Sequence, residues 1–451
     1  MLVPNALFAV IAFCVTFAAY TPSACATDPG VPEQFWNMPV DVVSDGLYPS
    51  SKLRFDGNYG LAYYSPSLQA ILYEEYDLDR ALLSSVQVVT GVTECEGVSL
   101  GLSYCDKPLI TFYNGADHHI YFLCHDTSST ISGMPTAEGW GIKVLDGSSE
   151  QGDFSMWDTI ENSSMLLTYL DSTNAQVKVR CMGGTPTWAS TIPYEGTPAQ
   201  YISVAVKATD GQPVVAFFDS SLKALIFAER KGGAWTTAVV DNSGDTGYFC
   251  KIRVTTSGEV YIAYQDRTVV DAPVTKVAHK VTDTWTIETA DPTLSGYDLA
   301  FVLDAGQRPH VLSTDGHRFR YARHNGTAWE TLTIPNPVGI DGNVSMHIVP
   351  SGKPAVFFSS SNKIEYIDAF ATSLVNVGPS GGGGCFVATA AFGSMGANAV
   401  RSLTTARDTL FAGSATSGNL VEFYYLVSPT AAVTLRDSGA FRAMFRNLLA
   451  R

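Results

Sequence analysis

Short apolar runs separated by turn residues recur in groups of four along residues 52–378, and each group repeats after 46–56 residues. The clearest copy runs ISVAVKA at 202–208, PVVAFFD at 213–219, ALIFAER at 224–230 and WTTAVVD at 235–241. First segments begin near Lys52, Val98, Phe154, Tyr201, Phe249, Tyr297 and Val344, which makes seven copies. Each run is rich in Val, Ile, Tyr and Phe, too short for a helix, and bounded by Gly, Pro, Asp or Ser, so it reads as a strand. Dipeptides such as Asp210-Gly211 and Ser257-Gly258 sit where a hairpin between the first two strands needs them. Seven copies of four strands at this period predict an all-β chain, a seven-bladed β-propeller over residues 27–378.

Tryptophan sets the register independently. Trp140, Trp188, Trp235, Trp285 and Trp329 open the fourth run of their copies, and one period before Leu83 stands Trp36, heading the strand-like WNMPVDVVSD at 36–45. That segment is predicted to be a displaced fourth strand that pairs with the last blade and closes the ring, leaving no free sheet edge. A bulky ring at one place in every blade fills the wedge between neighbouring sheets; serving as a platform for sugars would require exposure.

Apolar residues make up 46% of the chain and charged ones 16%, enough for a large core and too few charges for a disordered protein. The net charge of −15 is uneven: six Lys/Arg against three Asp/Glu follow Gly378, leaving −18 in residues 1–378. A body so acidic repels phosphate backbones, which excludes nucleic acid as an expected partner.

Residues 1–26 read as an export signal. The run 6–20 is apolar but for Thr16, and Ala24-Cys25-Ala26 offers small residues for cleavage, although no Lys or Arg precedes Lys52. Export implies an extracellular, cell-surface, periplasmic or outer-membrane location and an oxidising environment. Cys95 and Cys105 then become a candidate disulfide by proximity, while Cys124, Cys181 and Cys250 read equally as buried thiols or bridges.

In a propeller, the turns from second to third strand and those between blades share one face. Here Asp171, Asp219, Asp266 and Asp315 end the second strand in four consecutive copies, and Asp146, Asp241 and Asp291 open inter-blade turns. Such a rim could hold a cationic ligand or a divalent ion such as Ca2+. The commoner use of Asp there is to cap its own turn. His119 and His125 could share no metal ion, because six residues of strand separate them by about 20 Å. No cofactor is expected beyond that candidate ion, and no compact catalytic signature is present. Active-site carboxylates cannot be chosen from the forty in residues 1–378 without distances.

The repeat unit, a DGQPVVAFFD-like turn and strand, a LIFAER-like strand and a GGAWTTAVVD-like strand, resembles those of secreted bacterial propellers of the sialidase-like or BNR-like type, across residues 36–378. The SxDxGxTW box of such hydrolases is lacking, so the resemblance implies architecture more than activity. After the flexible stretch 379–384, which carries four consecutive glycines, comes CFVATAAFGS at 385–394. It resembles the CFIATAAYGS signature of the CFI-box C-terminal domain found on exported bacterial proteins, and the likeness runs to Arg451. That resemblance implies sorting or surface retention by dedicated machinery, with Cys385 as the place of processing or attachment. Apolar residues at Val400, Leu403 and Leu410, at Leu420, Phe423 and Tyr424, and at Phe441, Met444, Phe445 and Leu448 predict a small helical unit over 385–451. Its arginines would let it rest on anionic lipid, although packing its own core is the commoner use of such stripes.

Two functions follow from these readings. One is an exported, non-catalytic binding scaffold for a surface glycan, protein or small molecule, held by its tail. The other is a secreted, glycan-directed hydrolase or lyase whose active-site residues are dispersed over several blades. A plugged axial channel would favour the first, and convergent polar groups in a deep one the second.

Overall fold

The computed structural model describes residues 36–369 except 38, 55, 104–105, 126–128, 146–150, 159–164, 183–187, 199, 294–295, 336–338 and 350–351. The expected signal segment 1–26, linker 379–384, helical unit 385–451 and Cys105 lie outside the described residues. Chain contacts divide the molecule into two units. Residues 39–366 form the propeller, and among the described residues of the other unit Trp36 bridges Ala369 and the Asn37 N–H donates to the Asp368 carbonyl at 2.8 Å.

The propeller has seven antiparallel four-stranded sheets, as the periodicity predicts. Blade 1 is β2 (Leu47–Leu53), β3 (Tyr59–Ser65), β4 (Ala70–Tyr76) and β5 (Leu82–Thr90); blade 2 is β6 (Cys95–Leu102), β7 (Pro108–Asn114), β8 (His119–His125) and β9 (Trp140–Val144). Blade 3 is β10 (Gln151–Asp158), β11 (Met165–Asp171), β12 (Gln176–Met182) and β13 (Trp188–Thr191); blade 4 is β14 (Ser203–Val206), β15 (Pro213–Asp219), β16 (Ala224–Lys231) and β17 (Ala234–Asp241). Blade 5 is β18 (Thr246–Val254), β19 (Val260–Asp266), β20 (Val274–Val281) and β21 (Thr284–Asp291); blade 6 is β22 (Asp298–Leu303), β23 (Pro309–Thr314), β24 (Arg318–His324) and β25 (Trp329–Pro335). Blade 7 combines β26 (Ser345–Ile348), β27 (Pro354–Ser360) and β28 (Lys363–Asp368) with β1 (Val40–Val43), which pairs antiparallel to β28 and closes the ring.

Burial changes across each blade as its neighbours dictate. Second strands lie between two other sheets, so β3, β15 and β27 are buried at every position and read as near-continuous apolar runs. Fourth strands form the outer rim, and β17 is exposed along most of its length. Two of the tryptophans lean on the preceding blade: Trp285 meets Phe227 edge-on at 5.2 Å, and Trp235 Nε1 donates to Ser190 Oγ at 2.9 Å. Both fill the wedge between neighbouring sheets. Cys124 and Cys181 are half-buried and Cys250 is buried, and Cys250 Sγ donates to the Tyr201 carbonyl of the neighbouring blade at 2.6 Å. Cys95 donates to the Gly97 carbonyl, and burial pushes its thiol up to about 12.

Candidate functional site

The first strands of the seven blades enclose an axial cavity of about 1030 Å³. Their registers place Ser50, Ser99, Ser155, Ser203, Lys251, Ala300 and Ser345 at one equivalent level, opposite Ala62, Thr111, Thr168, Ala216, Ala263, Leu312 and Phe357. Serine there joins blades. Ser50 Oγ accepts the Leu100 N–H at 2.9 Å, Ser203 Oγ the Ile252 N–H at 3.1 Å, and Ser345 Oγ the Ser51 N–H at 3.1 Å. An inner strand has no further partner on the channel side, so each bond satisfies a buried donor and contributes about 0.5–1.5 kcal/mol.

Two residues before this serine level, four blades carry a bulky side chain in the left-handed region: Tyr48 (φ 56), Tyr201 (φ 70), Phe249 (φ 52) and Asn343 (φ 57). Such a conformation costs about 1–3 kcal/mol where glycine would adopt it freely. The ladder slips at two of these points, between Leu47 and Ser50 and between Tyr248 and Lys251, so bulges re-aim the chain as it enters the channel. The outcome is an aromatic mouth. Tyr201 lies 4.4 Å from Phe249 and 5.6 Å from Tyr248 between ring centroids, and the Arg267 guanidinium stands 4.5 Å over the Tyr248 ring. Tyr48, Tyr113, Phe154, Tyr201, Phe249 and Tyr297 all line the cavity, and Tyr297 is 62% exposed. Sequence reading missed this mouth, although its signal was present: three of the seven copies carry Tyr or Phe at this position, and Phe154 and Tyr297 lie within one residue of it in two more.

The candidate acids of the rim each have partners within the protein. Asp171, Asp219, Asp266 and Asp315 stand in four separate turns, each engaged by its own turn and its own neighbours. Asp219 is fully buried and accepts from the Ser221, Leu222 and Thr197 N–H groups and from the Tyr194 hydroxyl. Burial acts to raise its pKa, but these donors outweigh it and the pKa falls below the usual carboxylate range. Asp171 pairs with Lys178 at 2.5 Å, Asp266 with Lys276 at 2.7 Å, and Asp315 with Arg318 at 3.2 Å. Among the inter-blade acids, Asp241 accepts the Tyr264 hydroxyl at 2.6 Å from the next blade, and Asp291 pairs with Arg320 at 2.8 Å. Asp146 lies outside the described residues. Among the described residues no three His, Cys, Asp or Glu converge as a metal ion would require. His119 and His125 occupy opposite ends of β8.

No family model and no curated protein matches the chain. Solved structures similar to it include the hydrazine synthase of Kuenenia stuttgartiensis, at 10% identity and TM-score 0.47, covering 77% of this chain and 98% of that one. Polysaccharide lyase Uly1 is similar at 10% identity and TM-score 0.46, covering 72% and 90%. The NanB sialidase from Streptococcus pneumoniae is similar at 10% identity and TM-score 0.38, covering 77% and 70%. At these identities and scores the likenesses carry no argument about what the chain binds or does.

Proposed function

We propose that this protein is an exported, non-catalytic binding scaffold that takes a saccharide across the aromatic mouth of its axial channel. One observation carries the reading: Tyr48, Tyr201 and Phe249 are held in strained left-handed backbone at equivalent points of three inner strands. Strain of this kind persists where the surrounding structure imposes it, and it clusters at ligand sites. A ring of partly exposed aromatic faces suits the flat apolar faces of sugars, and the hydroxyls of Tyr48 and Tyr297 supply polar partners at the edge. The carboxylates Asp219, Asp241 and Asp266 are held ionised by hydroxyl, amide and ammonium donors around them, whereas a glycosidic general acid needs a raised pKa.

Isothermal titration of the native chain with a panel of neutral oligosaccharides tests this. In Tyr201→Gly/Phe249→Gly, which keeps the left-handed backbone and removes both rings, binding should weaken about 10- to 100-fold, from roughly 1–3 kcal/mol of lost ring contact. Unchanged affinity sinks the mouth as the site, and cleavage of the bound oligosaccharide sinks the non-catalytic role in favour of a hydrolase or lyase. The tail following residue 384 is proposed to retain the exported chain at the surface through Cys385. Fractionation and intact mass of the native chain and Cys385→Ser should then differ; identical location and unmodified mass in both would remove the attachment.

A further inference from the structure

Charge is sorted along the axial cavity. Glu96 and Asp298 stand at the start of β6 and β22, and exposed Asp341 precedes β26, so the acids lie toward the mouth. Asp298 is committed to the fold, accepting the Leu299 N–H at 2.7 Å and the Val344 N–H at 2.9 Å. Deeper in the same cavity the sign reverses. Lys52, Arg253 and His347 pair with Gly60, Tyr261 and Ala355, two residues past the serine level in blades 1, 5 and 7, and Lys251 stands at that level itself.

In a chain with net charge −15, several lysines elsewhere in the propeller meet carboxylates: Lys178 meets Asp171, Lys207 meets Glu229, and Lys276 meets Asp266. Among the described residues, Lys251 lines the cavity with no ion pair. Where blades 7 and 1 meet along the same cavity, the positive charge of Lys52 reaches His347. Burial first, and then the Lys52 charge, hold the His347 imidazole down at about 3, so the ring stays neutral and adds no charge of its own.

We infer that Lys52, Lys251 and Arg253 form an anion site in the lower half of the axial cavity. It takes the carboxylate or sulfate group of an acidic saccharide whose rings lie against the aromatic mouth, and in that respect it rests on the binding role proposed above. A cavity wall of low dielectric strengthens such charge-assisted contacts relative to water, and three cations from two blades gain most from one shared anion.

The test titrates sodium sulfate and, separately, sodium acetate into the full chain at matched chloride, following the His347 ring resonances and the heat of binding. A saturable shift is expected for at least one anion, and the two arms tell a sulfate from a carboxylate preference. In Lys52→Met/Arg253→Met the affinity should fall tenfold or more. Should that double variant fail to fold, Lys251→Gln serves, with an expected loss of about threefold or more. No saturable shift with either anion, or full affinity in the variant that folds, overturns the site. Sulfate or acetate binding without neutral-saccharide binding would remove the aromatic-mouth reading and leave the anion site standing; the reverse would remove the anion site alone.

Discussion

Glu229→Ala is expected to destabilise the propeller by about 3–5 kcal/mol, the cost of removing one partner from a buried charge cluster. Glu229 lies on β16 at 6% exposure and accepts from Lys207 at 2.5 Å and from Lys280 of the next blade at 3.1 Å. Lys207 is itself buried, with Asp210 at 3.1 Å as its remaining counter-ion. Alanine would leave two ammonium groups at the seam between blades 4 and 5 without their buried shared carboxylate, Lys207 keeping Asp210 and Lys280 keeping exposed Asp283 at 3.8 Å and the Phe227 ring at 4.9 Å. Calorimetry should show a transition lower by about 5–10 °C for a domain of this size. Lys231→Ala is the control. That lysine is 57% exposed, so its bond to Glu229 at 3.2 Å should be worth under about 1 kcal/mol. Equal melting of Glu229→Ala and the native chain would show that the cluster contributes nothing net.

The same cluster dictates a pH dependence. Burial acts to raise the Glu229 pKa, but hydrogen bonds from Lys207, Lys280 and Lys231 outweigh it and hold the group at about 2, below its ordinary value of 4.5. A carboxylate depressed in the folded state binds its proton less readily there than in the unfolded chain. Its contribution, about 3 kcal/mol, is therefore complete above pH 4.5 and is lost as pH falls from there toward 2. Asp219, Asp241 and Asp266 are lowered too and act in the same direction. Acid unfolding of the native chain should steepen below pH 4.5, and Glu229→Ala should flatten that limb.

Strand alternation, turn residues and the spacing of tryptophan were enough to read the blades and the closing strand, because each reports a local choice repeated from blade to blade. The rim acids were legible as residues but ambiguous in role. Whether Asp266 meets a ligand or Lys276 depends on a partner ten residues away, across a strand pair whose register periodicity alone does not assign. The aromatic mouth was hidden for a different reason. Left-handed backbone at Tyr201 and Phe249 violates local preference, so nothing in the propensities of those residues announces it. Lys52, Lys251 and Arg253 line one cavity only after seven inner strands are wrapped around one axis, and no spacing along the chain encodes that.

Removing residues 39–45 should cost the propeller more than any single substitution, because it deletes the seam itself. β1 supplies the fourth strand of blade 7, pairing Val40 with Tyr366 and Val43 with Ile364. Val43 is buried in a cluster with Tyr59, Leu61, Tyr63, Phe357 and Ile364, which belong to blades 1 and 7. Asp45 then bonds the Ser65 and Ser67 hydroxyls of blade 1, so one short segment ties the two ends of the ring together. Without it β28 becomes an edge strand with unpaired N–H and C=O groups beside an uncovered apolar face, which is the geometry that recruits a second chain. Size-exclusion chromatography of the truncated chain should show dimers or larger species where the intact chain runs as one, with a transition lowered by more than about 10 °C. Val43→Asp, which keeps the strand but places an unpaired charge in the cluster, should lower the transition by several degrees without the full shift to larger species. A truncated chain that stays monomeric and melts with the intact one would mean that six and three-quarter blades hold the ring unaided, and that the closing strand serves something other than stability.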